Sequence, residues 1–102
     1  MKYKIQFILD KRIPTDRMRD IKLNLLEQSV DMSLISDYPI DIPNDFIYLS
    51  DIKFKILKKE VRITNGFYNI EVTILDTETL DIITDQDQAR SRSVYKRYGV
   101  TF

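Results

Sequence analysis

The sequence contains neither cysteine nor histidine. Without cysteine there is no disulfide, no thiolate nucleophile and no cysteine-ligated metal. Without histidine the chain lacks the usual general base, the serine–histidine and cysteine–histidine arrangements, and most transition-metal sites. Much of the chemistry on which catalysis depends is therefore missing. We expect a protein that is not an enzyme, with no catalytic residue, no metal site and no cofactor.

Glycine and alanine are also scarce. The two glycines, Gly66 and Gly99, exclude a glycine-rich phosphate-binding loop, and both positions suit a turn or a helix end. Ala89 is the only alanine while isoleucine is abundant, a composition that favours strands over helices. The 102 residues contain no repeat or linker and fit one domain, 1–102, with one core.

Long apolar runs are absent. No stretch approaches the length of a membrane span. The apolar segment from Ile5 to Leu9 is too short for a signal peptide and is interrupted by Gln6. We therefore predict an unprocessed, cytoplasmic chain with no membrane partner. Sixteen basic residues balance sixteen acidic ones, so the net charge alone favours neither nucleic acid nor an anionic surface.

A long β-hairpin is predicted over 52–75, and the rest of the chain is organised around it. Asn65-Gly66 supplies the two positive φ angles that a type I′ turn requires. That turn places Ile63 opposite Tyr68 and Val61 opposite Ile70. It also sets Glu60 opposite Glu71, an unfavourable pair that Lys58 and Arg62 are close enough to screen.

The outgoing arm of this hairpin changes parity. Val61 and Ile63 occupy odd positions, whereas Phe54 and Ile56 occupy even ones. A regular strand places odd and even positions on opposite faces and cannot bury both pairs. One extra residue within 57–59 would bring all four onto the core face. The sequence therefore predicts a β-bulge there.

Weaker patterns predict the remaining elements. Residues 15–28 fit a helix with Thr15 as its N-cap, although 21–25 also alternates as a strand would. Apolar residues at helical spacing predict a C-terminal helix from Asp85 that ends at Gly99. Further strands are expected at 3–9, 30–34, 46–49 and 80–84, and a loop at 36–45.

These elements predict an α+β fold. We expect an antiparallel sheet of four to five strands built around the 52–75 hairpin, with one or two helices packed on one face. The alternative is a small, mostly-β, barrel-like domain with a C-terminal helix, in which 21–25 is a strand. The choice between them depends on the structure of 15–28.

Charged residues occur in blocks of one sign. Residues 31–51 carry five acids and no base, and 71–87 carry six acids and no base. Two basic segments form the candidate partner-binding surface. They are Lys53, Lys55, Lys58, Lys59 and Arg62 of the hairpin, and Arg90, Arg92, Tyr95, Lys96 and Arg97 of the C-terminal helix.

Each basic segment also has an ordinary structural interpretation. The helix fits a solvated face whose tyrosines pack on the sheet, and strand lysines protect exposed edges. From the missing catalytic chemistry and the charge blocks we predict a small non-enzymatic protein-interaction module, such as an accessory or inhibitor protein of a phage or mobile element. The alternative is a nucleic-acid-binding module that uses the two basic segments. Self-association through an exposed sheet edge or an aromatic surface such as Phe67 ranks third. Metal-dependent catalysis near Asp51 and Lys53 ranks last, because the spacing of the carboxylates does not suit it.

Overall fold

The computed structural model of the chain describes residues 2–85, and within them it has five strands and two helices. The C-terminal helix predicted from Asp85 lies, beyond Asp85 itself, outside the described residues. In chain order the elements are β1 (Lys2–Leu9), α1 (Thr15–Glu27), β2 (Ser33–Ser36), β3 (Phe46–Leu49), β4 (Ile52–Thr64), β5 (Phe67–Asp76) and α2 (77–85).

The five strands form one curled, half-barrel sheet in the order β2-β1-β5-β4-β3. This confirms the predicted α+β fold. The sheet is mixed, however, because β1 runs parallel to β5, from Lys2 opposite Phe67 to Leu9 opposite Ile74. The prediction of purely antiparallel pairing is wrong for this central pair. The chain enters β5 only after α1 and three further strands, which gives it the long connection that parallel strands need.

The predicted hairpin is confirmed. Asn65 and Gly66 have φ angles of 50° and 79°. Val61 lies opposite Ile70, and Glu60 lies opposite Glu71. The register shifts between Ile56 and Lys58, so the predicted bulge is present, with Leu57 as the extra residue. Odd-numbered residues of β4 after the bulge, such as Val61, therefore lie on the same face as even-numbered residues before the bulge, such as Ile56.

One face of the sheet, the inner face, packs against α1. Ile21 and Leu25 of the helix are buried with side chains from β1, β4 and β5. Each fully buried side chain of this size contributes about 1.5–3 kcal/mol. Within residues 2–85 the buried apolar residues are Ile5, Phe7, Ile13, Ile21, Leu25, Leu49, Phe54, Ile56, Val72, Ile74 and Leu75. Leu75 lies opposite Lys55 and therefore belongs to the other face of the sheet.

The predicted burial of Val61 and Ile63 is wrong. The bulge does turn both side chains onto the inner face, but they are 58% and 62% exposed. Both β4 and α1 have 13 residues. A strand rises more than twice as far per residue as a helix, so β4 spans about 43 Å and α1 about 20 Å. The helix is too short to cover the turn end of the hairpin.

Residues 15–27 are helical, and the alternative strand at 21–25 is wrong. The helix begins one residue earlier than predicted, because Pro14 is the N-cap and Thr15 is the first helical residue. Gln28 N–H donates to the Asn24 carbonyl at 3.0 Å, and Ser29 has a left-handed φ of 56° that ends the helix. The strand expected from Val30 begins only at Ser33, so it is shorter and shifted.

The strand predicted at 80–84 is also wrong, since these residues belong to α2. Asp76 explains the helix. Its Oδ2 accepts a hydrogen bond from Thr79 N–H at 3.3 Å, which is the N-cap contact that starts a helix. Leu80 and Ile83, three positions apart, pack against the core. No helix among residues 2–85 is long and apolar enough to cross a membrane.

Candidate interaction surface

The side of the sheet opposite α1, the outer face, carries most of the predicted hairpin surface. Side chains alternate between the two faces along β4, and Phe54 and Ile56 lie on the inner face. Lys53, Lys55, Lys58 and Arg62 therefore lie on the outer face, together with the residues opposite them on β3 and β5. A regular strand would not put 53 and 55 on the same face as 58 and 62. The bulge at Leu57 therefore assembles this basic row.

Lys59 is turned away from the other bases. The bulge places it on the inner face, where its Nζ donates to the Ile42 carbonyl at 2.7 Å and to Asn44 Oδ1 at 2.8 Å. These contacts hold the loop between β2 and β3 against the hairpin. Lys59 thus has a structural partner in this protein, and the structure separates it from the predicted surface.

Strand β1 adds two bases that sequence reasoning missed. Lys2 lies opposite Phe67 and Lys4 opposite Asn69, so both belong to the outer face. Their alternation along β1 was visible in the sequence, but the pairing of β1 with β5 was not. Six basic and two acidic side chains share the face within residues 2–76. They are Lys2, Lys4, Lys53, Lys55, Lys58, Arg62, Glu60 and Glu71.

At one end of the outer face, lysines and aromatic rings form a cluster that we call the aromatic–lysine cluster: Phe46, Tyr48, Lys53 and Lys55. Lys53 Nζ lies 4.5 Å and Lys55 Nζ 4.8 Å from the centre of the Phe46 ring. Attraction between an ammonium group and the ring holds both lysines in place. Tyr48, on the same strand as Phe46, is 65% exposed. Sequence reasoning identified the lysines but not the two rings.

The centre of the face holds a row of alternating charge. Glu60 forms ion pairs with Lys58 and with Arg62, whose Nη2 is 3.6 Å from Glu60 Oε2. The hydrogen bond from Lys58, and then its charge, hold the pKa of Glu60 below its ordinary value. These contacts confirm the predicted screening of Glu60 from Glu71 across the strand pair.

Near the hairpin turn, the face contains a shallow polar depression of about 280 Å³. Lys4, Arg62 and Glu71 contribute charges to its lining, and Asn69 Nδ2 donates to Thr64 Oγ1 at 2.6 Å. The depression is open and lies just below the usual size range of small-molecule sites. Its mixture of charges suits surface contact better than capture of a small ligand.

A second charged cluster, on the α1 side, is structural. Arg17 of α1 donates from Nε to Asp76 Oδ2 at 3.0 Å and pairs through Nη2 with Glu78 Oε2 at 3.2 Å. These contacts tie α1 to the start of α2. Within residues 2–85, no group of three or more carboxylates is arranged to hold a metal ion.

The acidic blocks leave the outer face basic. Within residues 2–85, one ion pair joins the acidic block at 31–51 to these bases, between Asp45 Oδ1 and Lys55 Nζ at 3.5 Å. Lys58 and Arg62 pair only with Glu60 in the same range. The other predicted basic segment lies outside the described residues. It comprises Arg90, Arg92, Tyr95, Lys96 and Arg97.

Comparison of the chain with protein-family models, with curated proteins and with solved structures finds no match. Function is therefore inferred from the chain's own residues. The features that bear on function are the basic outer face and its exposed aromatic rings.

Proposed function

We propose that the protein is a non-enzymatic interaction module that binds an acidic surface of another protein through the outer face of its sheet. The observation that carries the proposal is the gathering of six bases on that face. The bulge and the parallel β1–β5 pair bring them together from separate parts of the chain. Complementary charge orients a partner and speeds its association.

The aromatic–lysine cluster is the best anchor for such a partner. Cation–π contact with Phe46 reduces the freedom of Lys53 and Lys55 before binding, which lowers the entropy lost on association. Tyr48 beside them is largely exposed. Tyrosine is enriched among residues that dominate the binding energy of protein interfaces.

A charge-reversal pair tests this surface. Lys53→Glu/Lys55→Glu should weaken binding to a glutamate-rich peptide at least about tenfold, measured by fluorescence anisotropy at low salt, because two attractive contacts become repulsive. Arg19→Glu/Lys22→Glu on exposed positions of α1 makes the same change in net charge and should have a much smaller effect. Equal losses in the two variants would show that only net charge matters and would contradict the proposal.

Single-stranded nucleic acid is the second candidate, because Tyr48 lies exposed beside Lys53 and Lys55. Bases stack on such rings while lysines contact phosphates. Two ammonium groups already lie over the Phe46 ring, which leaves one open stacking ring in the cluster and places this candidate second. Tighter binding of an oligonucleotide than of the acidic peptide, lost in Tyr48→Ala, would reverse the order.

A cytoplasmic location belongs to the same proposal. Its support is a sequence without cysteine, which needs no oxidising compartment. An accessory or inhibitor role for a phage or mobile element would match the size and the proposed mode of binding. Fractionation of cells that express the tagged chain tests the location, and recovery in the membrane fraction would contradict it.

A further inference from the structure

One edge of the hairpin is unpaired over half its length. Strand β3 pairs with Ile52 to Lys55 of β4, and Ile56 N–H donates to the Asp45 carbonyl at 2.8 Å. Beyond that bond, no strand within residues 2–85 pairs with this side of β4. The β2–β3 loop contacts this stretch through the side chain of Lys59, whose Nζ bonds to Ile42 and Asn44, and within residues 2–85 it makes no backbone hydrogen bond to residues 58–64. We call residues 58–64 the free edge.

The backbone groups that point out of the free edge can be identified. The Ile74 carbonyl accepts a hydrogen bond from Asp10 N–H at 2.9 Å, so even-numbered residues of β5 direct their backbone groups toward β1. Odd-numbered residues of β5 then face β4, where they pair with 58, 60, 62 and 64. Consequently Lys59, Val61 and Ile63 direct their N–H and carbonyl groups outward.

Native proteins protect exposed edges with charged side chains, lysine above all, that repel another strand. In the free edge Lys59 is bonded to the β2–β3 loop, and Glu60 lies between Lys58 and Arg62, so charges of both signs alternate along the outer face. The inner face of the same edge exposes Val61 and Ile63. A strand with this pattern is complementary to an antiparallel copy of itself.

We propose that a second copy of this chain pairs antiparallel with the free edge, in the register centred on Val61. In that register Glu60 lies opposite the partner's Arg62, and the two-fold axis repeats the pair. Val61 lies opposite the partner's Val61. Each residue whose backbone N–H and carbonyl point out of the edge then lies opposite another such residue of the second copy. This arrangement allows about six backbone hydrogen bonds between the copies.

Charge excludes the neighbouring registers. Centring on Glu60 or on Arg62 places that residue opposite its own copy, and like charges directly opposite are destabilising. Centring on Lys59 places the two copies of Lys59 opposite one another. It also places Arg62 opposite Ile56, whose N–H already bonds to the Asp45 carbonyl. In-register parallel pairing places every charged residue opposite its own copy. Centring on Ile63 places Val61 opposite the turn residue Asn65, which shortens the paired stretch. The register centred on Val61 is therefore favoured, and its two-fold symmetry closes a dimer rather than a fibre.

Proline at the centre of the edge tests the pairing. Sedimentation equilibrium of the full chain should show a concentration-dependent dimer, with its dissociation constant raised at least about tenfold by Val61→Pro, because proline removes an N–H directed at the partner. That N–H makes no bond to β5, so the hairpin should persist, as judged by circular dichroism. Val61→Thr keeps the N–H and should still dimerise. A wild-type chain that stays monomeric up to millimolar concentration would overturn the proposal.

Charge complementation tests the register. Glu60→Arg and Arg62→Glu should each weaken the homodimer, since each places like charges opposite one another twice. An equimolar mixture of the two variants should recover dimerisation, because every base then faces an acid. Recovery cannot arise from a folding defect. A dimer that neither variant weakens, or a mixture that fails to recover, would show that the register is wrong.

The dimer and the proposed binding function are separable. Lys53 and Lys55 of the aromatic–lysine cluster pair with β3 and lie outside the free edge. Their reversal should leave dimerisation unchanged, whereas Val61→Pro should leave binding of the glutamate-rich peptide unchanged. Failure of either proposal can therefore be recognised without reference to the other.

Discussion

The two halves of the β4–β5 hairpin have similar sequence patterns and different surroundings. In the half nearest α2, Phe54 and Ile74 are fully buried beneath α1. In the half nearest the turn, Val61 and Ile63 occupy the same face and are mostly exposed. Alternation of apolar residues therefore identifies a face but does not show whether anything covers it. The length of the covering helix decides which part of the face becomes core.

Truncation in the buried half should produce the largest effect. Phe54→Ala should destabilise the fold by about 3–5 kcal/mol, because it leaves a cavity in the centre of the core. Val61→Ala, on the same face, should cost less than about 1 kcal/mol, since little apolar surface is lost there. Urea unfolding at low protein concentration measures both. Similar losses in the two variants would contradict the distinction between the halves.

The junction between β5 and α2 should be nearly as sensitive. Asp76 is fully buried, accepts from Arg17 and caps α2. Asp76→Ala should lower the free energy of unfolding by about 2–4 kcal/mol, because it removes the cap and leaves the Arg17 charge without its buried partner. Glu78→Ala, which removes the exposed partner of Arg17, serves as the control and should have little effect. A small loss in Asp76→Ala would mean that the junction contributes little to stability.

The turn end should show a smaller effect that comes from the backbone alone. Gly66 has a φ of 79°, and a Cβ at this position would have no atom of residues 2–85, apart from its chain neighbours, within 4 Å. Gly66→Ala should therefore cost about 1–2 kcal/mol through left-handed strain without any clash. Denaturant unfolding gives the value. A cost as large as that of Phe54→Ala would indicate that the turn end is packed more tightly than the structure shows.

The smallest effect concerns Glu60 in the exposed half. Its pKa is lowered in the folded protein by the hydrogen bond from Lys58, then by the charges of Lys58 and Arg62. A lowered pKa means that the stabilisation is complete above the ordinary value of 4.5 and is lost as the pH falls through the folded value. In an NMR titration, Lys58→Ala should raise the pKa of Glu60 more than Arg62→Ala does. The opposite order would contradict the assigned cause.

The sequence predicted the local features of the sheet well. Asn65-Gly66 determined the turn and register, and the parity change around Leu57 located the bulge, because both signals arise from neighbouring residues. The parallel partner of β1 was missed because pairing between distant strands leaves no local pattern. The helix at 77–85 was missed because its isoleucines resemble a strand, while the decisive contact is the Asp76 cap.

The candidate site was predictable only in part, for the same reason. Lys53, Lys55, Lys58 and Arg62 were identified, and parity beyond the bulge separates Lys59 from them. Lys2 and Lys4 join the face only through the pairing of β1 with β5. Phe46 gains its place under two lysines from the pairing of β3 with β4. Contacts across strands, rather than composition, therefore complete the surface.

The parallel β1–β5 pair also bears on the order of folding. The β4–β5 hairpin has a two-residue turn and can form within microseconds. Strand β1 is made first on the ribosome, but its partner in the centre of the sheet begins at Phe67, about 65 positions later. During synthesis β1 therefore cannot pair with β5 until α1 and the three intervening strands have been made. We expect the pairing of β1 with the preformed hairpin, which also closes α1 over the core, to be the late and rate-limiting step of folding.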